Sequence, residues 1–404
     1  MVEADSTTSP VTQKRRLETQ SSNVSIRSGM DEIILYVDVR INEKLYRVPV
    51  PYASENAILS QLLSEASIVL NISNYNFGRK IMKPFCKALN RQTNLHHLDL
   101  SGNFISDECM ELLCLSFASL ENLTTLNLSM NLITSDSLHH IANIFSNQLD
   151  KSILENLNYL DLSFNPLGNE SLRHLSIITR HLKLRVLKLV DVDFTSEIFD
   201  DFSNRNVELY LDYLEELDIS ENRMDKDDLL KFILWTRPAN LHILNIANNN
   251  VTENGLLVEI VRIFEANSTQ FWKLKYLNFS RCKVTDVEVY ELLRLLSGAE
   301  HLETLNLSYN ENLSSISLRR LFNHEYPIKN LHLEGCLDIL KYFEGSKEDS
   351  WKLTEKSSIK KLRLSIDNKE DTVKYNAIIN MWKERHYDRS HIVSNKYYVE
   401  LSAK

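Results

Sequence analysis

A parallel α/β solenoid, a horseshoe of stacked strand–helix units, is the fold class this sequence predicts. Three observations predict it: a nine-residue pattern, LxxLxLxxN, recurs down most of the chain; its copies stand about 29 residues apart; and helix signatures fill the intervals. A chain of 404 residues would ordinarily divide into two or three domains, but a repeat array grows by stacking and escapes that limit.

The clear series opens with Leu95, Leu98, Leu100 and Asn103, then Leu123, Leu126, Leu128 and Asn131, then Leu157, Leu160, Leu162 and Asn165. Leu184, Leu187 and Leu189 follow, with Val192 in the asparagine position. Leu214 to Asn222, Leu241 to Asn249 and Leu302 to Asn310 keep the pattern, while the copies from Leu274 and Ile328 carry Cys282 and Cys336 in place of asparagine. A degraded copy ends the series at Ile359, Leu362, Leu364 and Asp367, and a leading half-pattern of Leu70, Ile72, Tyr75 and Phe77 begins it. From residue 72 to residue 364, ten steps cover 292 residues, the leucine-rich-repeat length in which each unit has a strand and a full helix. Leucines two apart point to one side of a strand and enter a core, and the asparagine amide ties down the backbone that turns away behind them. Cysteine is a small buried substitute with a weak donor, so Cys282 and Cys336 read as structural.

Between the strands, Thr285 and Glu288 form a capping box ahead of Tyr290, Leu292, Leu293, Leu295 and Leu296. A second helix is expected from Gly255 through Leu256, Ile260, Val261 and Phe264, and a third around Met110, Leu113, Leu115 and Phe117. Three intervals exceed 30 residues, which predicts a bulge at one rim or a longer helix; the last contains the polar stretch Lys341 to Glu355.

The ends differ from the array. Residues 1–30 are rich in Ser, Thr and charge and read as a disordered tail, with Lys14, Arg15 and Arg16 a short and weak import signal. Residues 31–66 read as a β-hairpin, Ile33 to Val39 and Lys44 to Val50, followed by a helix over Ala57 to Ala66: a cap, or a partial ubiquitin-like element. The solenoid occupies 67–390. Residues 391–404 supply a capping strand centred on Tyr397, Tyr398 and Val399, after a helix holding Ile378, Ile379 and Trp382.

Composition narrows the function classes. The 46 Lys and Arg against 55 Asp and Glu leave a net charge of −9, which argues against a whole-surface grip on nucleic acid. The sequence contains no apolar run of about 18 residues and no secretory h-region near Met1, so neither a membrane partner nor export is expected. Five scattered cysteines without a CxxC pair point to a reduced compartment. The Asn-x-Ser/Thr matches at Asn71, Asn127, Asn278 and Asn306 read as repeat chemistry. Glycine-rich phosphate loops, HExxH and GxSxG are missing, so no catalytic, metal or cofactor residues are assigned and an enzyme is not expected.

What remains is a binding face. Residues between the inward leucines line the concave side, and the candidate protein-binding set is Asp99, Tyr159, Asp161, Glu215, Glu216, Asp218, Tyr276, Glu303, Lys329, His332, Lys360, Lys361 and Arg363. Tyr159 and Tyr276 are the expected anchors, since aromatic side chains dominate interface energetics. Asp201 to Leu230 carries ten acidic and three basic residues, whereas Trp351 to Leu364 carries five basic and one acidic, a gradient a partner would feel on approach. The Lys360, Lys361 and Arg363 cluster is the one place where contact with phosphate is weighed, against a role as solubilising charge.

The hairpin ending in Arg47-Val48-Pro49-Val50-Pro51, the long leucine-rich repeats and the aromatic last strand Lys396 to Leu401 together resemble the carboxyl-terminal region of the Tonsoku-like family. Leu157 to Asn165, followed by Pro166-Leu167-Gly168, looks like a repeat of that family, as does Leu302 to Leu313 with its lengthened turn. The resemblance implies a non-catalytic scaffold in replication-coupled homologous recombination repair, in the nucleus on chromatin at replication forks. Its implied partner is an Mms22-like recombination scaffold docked on the leucine-rich repeats, with other replication-fork or chromatin proteins besides. Tetratricopeptide and ankyrin repeats of the family are not found in this sequence, so no histone-reading role is carried to any residue. Two alternatives stand beside it: the array also resembles Ran-type GTPase activators, for which Arg223 and Arg281 follow strands, and more distantly tropomodulin-like actin-binding proteins.

Overall fold

The computed structural model describes residues 24–28, 33–41, 44–51, 68–74, 79–147, 153–196, 208–235, 240–267, 273–296, 302–323, 326, 328–336, 358–365, 372–386, 390–394 and 398–403. The helix expected over Ala57 to Ala66, the half-pattern residues Tyr75 and Phe77, the stretch Lys341 to Glu355 and Asp367 lie outside the described residues.

Near the amino terminus, β1 (Val24–Ser28), β2 (Ile33–Ile41) and β3 (Lys44–Pro51) form an antiparallel sheet in that order. The expected hairpin is β2–β3, with Val37 opposite Val48 and Ile41 opposite Lys44. The strand β1 falls inside the segment expected to be a disordered tail. There Val24 and Ile26 alternate with Ser25 and Arg27, a period-2 pattern that the polar composition of residues 1–30 outweighs when the whole segment is averaged.

The second sheet is the array itself. Its parallel strands are β4 (Val69–Asn71), β5 (His97–Asp99), β6 (Thr125–Asn127), β7 (Tyr159–Asp161), β8 (Val186–Lys188), β9 (Glu216–Asp218), β10 (Ile243–Asn245), β11 (Tyr276–Asn278), β12 (Thr304–Asn306), β13 (Asn330–Leu333) and β14 (Lys361–Ser365), each paired with the next. Register is kept by the central leucines: Leu70, Leu98, Leu126, Leu160, Leu187, Leu217, Leu244, Leu277, Leu305, Leu331 and Leu362 stand opposite one another in sequence. All of them are buried, as are the flanking leucines of the pattern, and one continuous core runs from Leu70 to Leu401. No unit can cover its own leucines, so burial worth about 2 kcal/mol per leucine is available only when the units stack.

Helices close the other side of the core: α1 (Arg79–Leu89), α2 (Asp107–Phe117), α3 (Ser135–Asn147), α4 (Ser171–His181), α5 (Lys226–Trp235), α6 (Leu256–Asn267), α7 (Asp286–Leu296), α8 (Ser315–Asn323) and, near the end, α9 (Thr372–His386). The expected helix around Met110 is α2, but Leu115 points outward, 73% exposed, while Cys114 takes the buried position. Tyr290 is also exposed, with the Arg320 guanidinium 4.4 Å above its ring. Two of the long intervals lengthen their helices, α3 to 13 residues and α6 to 12.

The asparagines act as expected and also bind the units to one another. Asn131 Nδ2 donates to the carbonyls of Leu128 (2.9 Å), Ser129 (3.1 Å) and, in the preceding unit, Leu100 (3.1 Å). Its Oδ1 accepts from the backbone N–H of Asn103 (2.9 Å) and Ile105 (3.0 Å) of that same preceding unit. Asn165, Asn222 and Asn310 repeat the arrangement. Val192 interrupts it, and there Leu167 N–H turns back to Asn165 O instead. Cys282 and Cys336 stand in with their thiols, which donate to Ile246 O at 3.6 Å and Leu307 O at 3.3 Å. Burial pushes these thiols up to about 12 and about 11.

Acidic side chains make a second set of ties. The capping box forms as expected, with Glu288 Oε2 accepting from Thr285 N–H and Oγ1, both at 2.9 Å. The other carboxylate oxygen reaches the start of α6 one unit earlier and accepts from Gly255 N–H (3.0 Å) and Leu257 N–H (3.2 Å). Asp107 and Asp286 reach forward and cap α3 and α8, accepting from Thr134 and Ser137 and from Ser314 and Ser317 respectively.

The carboxyl end is closed by β15 (Ser390–Ser394) and β16 (Tyr398–Ala403). β16 lies antiparallel on β14, and β15 antiparallel on β16. The expected last strand is therefore present, shifted two residues and joined by a second strand at the edge. Trp382 of α9 is fully buried beneath it and donates from Nε1 to Ser402 O at 3.4 Å.

Candidate functional site

Period-2 alternation leaves two residues of each three-residue strand on the face opposite the helices. One row reads His97, Thr125, Tyr159, Val186, Glu216, Ile243, Tyr276, Thr304, Asn330, Lys361; the other reads Asp99, Asn127, Asp161, Lys188, Asp218, Asn245, Asn278, Asn306, His332, Arg363. Of the thirteen candidates named from the sequence, Asp99, Tyr159, Asp161, Glu216, Asp218, Tyr276, His332, Lys361 and Arg363 lie in these rows. Glu215, Glu303, Lys329 and Lys360 do not: each directly precedes its strand, at the sheet's amino-terminal end. There Glu215 pairs with Arg185 (2.6 Å) and Glu303 with Lys329 (2.9 Å) across neighbouring units, and Glu215 and Arg185 line a shallow cavity of about 380 Å³ with Lys183 and Tyr213.

The second row serves the fold. Asp99, Asn127, Asp161, Asp218, Asn278 and Asn306 each accept, at 3.0 to 3.1 Å, the backbone N–H of the serine two residues on. These are Asx turns, which lead the chain out of the strand. They also account for three of the Asn-x-Ser/Thr matches, and Asn71 makes the fourth with Ser73 N–H at 2.9 Å.

A polar cluster sits in the middle of the face. Lys188 Nζ is 3.0 Å from Glu216 and 5.6 Å from the centre of the Tyr159 ring, between Asp161 and Asp218 in its own row. Burial works against the Lys188 charge, yet the hydrogen bond to Glu216 together with Tyr159 and Asp161 raises its pKa. Burial, helped by Asp218, raises the Asp161 carboxyl, and burial with Asp161 raises the Tyr159 phenol. Tyr276, half-buried, is raised in the same way by burial and Asp218. Lys188 was legible as a row member but carried no special sign in the sequence; its role comes from neighbours 27 to 30 residues away.

At the last units the basic cluster is not an open phosphate site. Glu400 of β16 bonds Arg363 Nε at 2.5 Å and Lys361 Nζ at 3.0 Å, leaving Lys360 as the exposed member. His332, beside them, is lowered to about 4 by burial and by the Arg363 and Lys361 charges. The two arginines considered for GTPase activation are engaged as well: Arg223 pairs with Asp193 at 2.9 Å, and Arg281 lies 4.8 Å over the Tyr309 ring. Among the described residues, no group of three His, Cys, Asp or Glu side chains is placed to hold a metal ion, and no helix is long and apolar enough to cross a membrane.

A ladder of single short strands in register, leucines on one side and helices behind them, defines a leucine-rich-repeat protein. Residues 91–114 and 154–176 match the leucine-rich-repeat family model. Over 265 residues the chain is 28% identical to Tonsoku-like protein of Mus musculus, the family it resembles in sequence order; the match takes in 63% of this chain and 19% of that protein. Among solved structures it is similar to the yeast Rad7–Elc1 complex (12% identity, TM-score 0.45, 72% of this chain and 68% of that one). It is also similar to an internalin of Listeria monocytogenes (18% identity, TM-score 0.31, 68% and 86%). Likeness this remote carries nothing about partners.

Proposed function

We propose that this array is a non-catalytic docking module of replication-coupled recombination repair, acting in the nucleus and holding an Mms22-like scaffold protein on its strand face. The similarity to Tonsoku-like protein over 265 residues is the observation that carries this reading. The site's chemistry supports it: Tyr159, Lys188, Glu216 and Tyr276 form a half-buried surface of aromatic and paired charged groups, suited to a protein partner.

Co-expression of the chain with an Mms22-like protein, followed by size-exclusion chromatography with light scattering, tests it. The informative variant is Tyr159→Ala with Lys188→Glu and Tyr276→Ala, which spares the aspartates that hold the Asx turns. A stoichiometric complex lost in the folded variant is expected. Absence of any complex with the unmodified chain would remove the repair assignment.

A further inference from the structure

A second surface lies where the chain leaves the strands. Phe104, Met130, Leu132 and Phe164 occupy three consecutive turns there and are 58%, 58%, 49% and 48% exposed. The turns are stacked edge to edge: Gly102 N–H donates to Ser129 O, Met130 N–H to Ser163 O and Phe164 N–H to Val190 O, at 2.7 to 2.9 Å. The four side chains are therefore neighbours along one rim.

Their backbone makes this composition informative. Phe104, Met130 and Phe164 have φ of 55°, 57° and 57°, the left-handed region that large side chains avoid. In the positions that match Met130 and Phe164, other turns carry Asn74, Gly102, Asp191, Glu221, Asn248, Arg281, Tyr309 and Gly335. Five of these eight are Asn, Asp or Gly, which accept this conformation at low cost, and of the bulky ones Arg281 and Tyr309 stack on each other at 4.8 Å. At two of these a side chain would also displace a neighbour: a Cβ on Gly102 would meet the Asn74 side chain, and one on Gly335 the Tyr309 ring. Phe164 and Met130 have no such structural reason. They contribute little to the core and sit where a polar residue would be more comfortable. Immediately beyond Phe164 the rim and the adjoining strand face turn acidic, with Asp161, Asp191, Asp193, Glu216, Asp218 and Glu221 against Lys188 and Arg223.

We propose that this rim binds an extended segment of a partner protein in which apolar side chains are followed by Lys or Arg. The apolar part covers Phe104, Met130, Leu132 and Phe164, and the basic part runs over Asp191 and Glu221. The proposal rests on the reading of the array as a protein-docking module and names a second contact surface within it. Neighbouring turns lie about 5 Å apart and an extended chain rises about 3.3 Å per residue, so roughly seven residues span the five turns, and a ten-residue segment covers them with a margin. The contact is polar at one end only, which fixes the direction of the bound segment.

Fluorescence anisotropy with the full chain and labelled ten-residue peptides tests this. One peptide carries Phe and Leu followed by Lys and Arg, a second has the same residues in reverse order, and a third has Glu in place of Lys and Arg. The first should bind at least about tenfold more tightly than the others, and more weakly as salt is raised. Met130→Asn with Phe164→Asn should lose that binding about tenfold or more while Tm stays equal or rises, because asparagine relieves the left-handed backbone. Equal affinity for the three peptides, or binding unchanged in the double variant, overturns the proposal. So does a concentration-dependent dimer abolished by the same variant, which would make a second copy of the chain the occupant. The outcome is separable from the repair reading: a complex with the Mms22-like protein that ignores the rim variant removes the rim alone, whereas rim-dependent peptide binding without that complex removes the repair assignment alone.

Discussion

Removing one asparagine amide from the ladder isolates what it contributes. In Asn131→Ala the carbonyls it served keep other donors: Leu100 O retains Asn103 Nδ2 at 2.9 Å, Leu128 O retains Asn165 Nδ2 at 2.9 Å, and Ser129 O retains Gly102 N–H at 2.9 Å. The loss falls on two N–H groups, those of Asn103 and Ile105, whose residues are fully buried and which have Asn131 Oδ1 as acceptor. A buried donor left without a partner costs about 1–3 kcal/mol, so the variant should lose about 2–6 kcal/mol. Water entering the vacated space would bring the figure toward the lower end. Urea unfolding followed by circular dichroism measures the total, and hydrogen exchange at the Asn103 and Ile105 amides reports where the loss occurs. A cost below about 1 kcal/mol with unchanged exchange at both amides would refute the ladder as a source of stability.

Acid should act through the helix caps. Burial opposes the charge of Asp286, but hydrogen bonds from Ser314 and Ser317 outweigh it and hold the carboxyl below its ordinary value; Asp107 behaves alike through Ser137 and Thr134. Their stabilisation is present above the unfolded carboxyl value of about 4 and lost as pH falls below it, so Asp286→Asn should be less stable near neutrality and less acid-sensitive in a pH series of urea midpoints. His332, lowered to about 4, opposes folding once the unfolded imidazole takes up a proton. Stability should therefore fall between about pH 6.5 and 4, and His332→Gln should flatten that slope. Cys86, Cys114, Cys282 and Cys336 are pushed up to about 11 or 12 by burial, so a thiol reagent at pH 8 should label them in urea but not in the native chain; fast native labelling would contradict the packing.

The repeat units, the structural places of Cys282 and Cys336 and the Thr285–Glu288 box were all legible because each is marked by a pattern of residues close in sequence. The turn-holding role of the concave aspartates is local too, yet the binding-face reading passed over it. Asp99, Asp161 and Asp218 are each followed two residues later by serine, and that regularity was the sign of an Asx turn, visible but weighed as surface charge. The neutralisation of Arg363 and Lys361 by Glu400 depends on the antiparallel register of β16 on β14, which no local pattern announces. The rim was hidden too, since Phe104 and Phe164 look like core residues until the left-handed turns place them outside.

The carboxylate of Glu288 has a further consequence. One of its oxygens belongs to the helix that carries it and the other to the helix before, while Asp107 and Asp286 hold the helix after. The repeats are thus not interchangeable bricks. Excising one whole unit would preserve the 29-residue rhythm yet leave an uncapped helix on one flank and a surplus acid on the other. Any lineage or designer shortening this array would have to rewrite the joint as well as remove the piece.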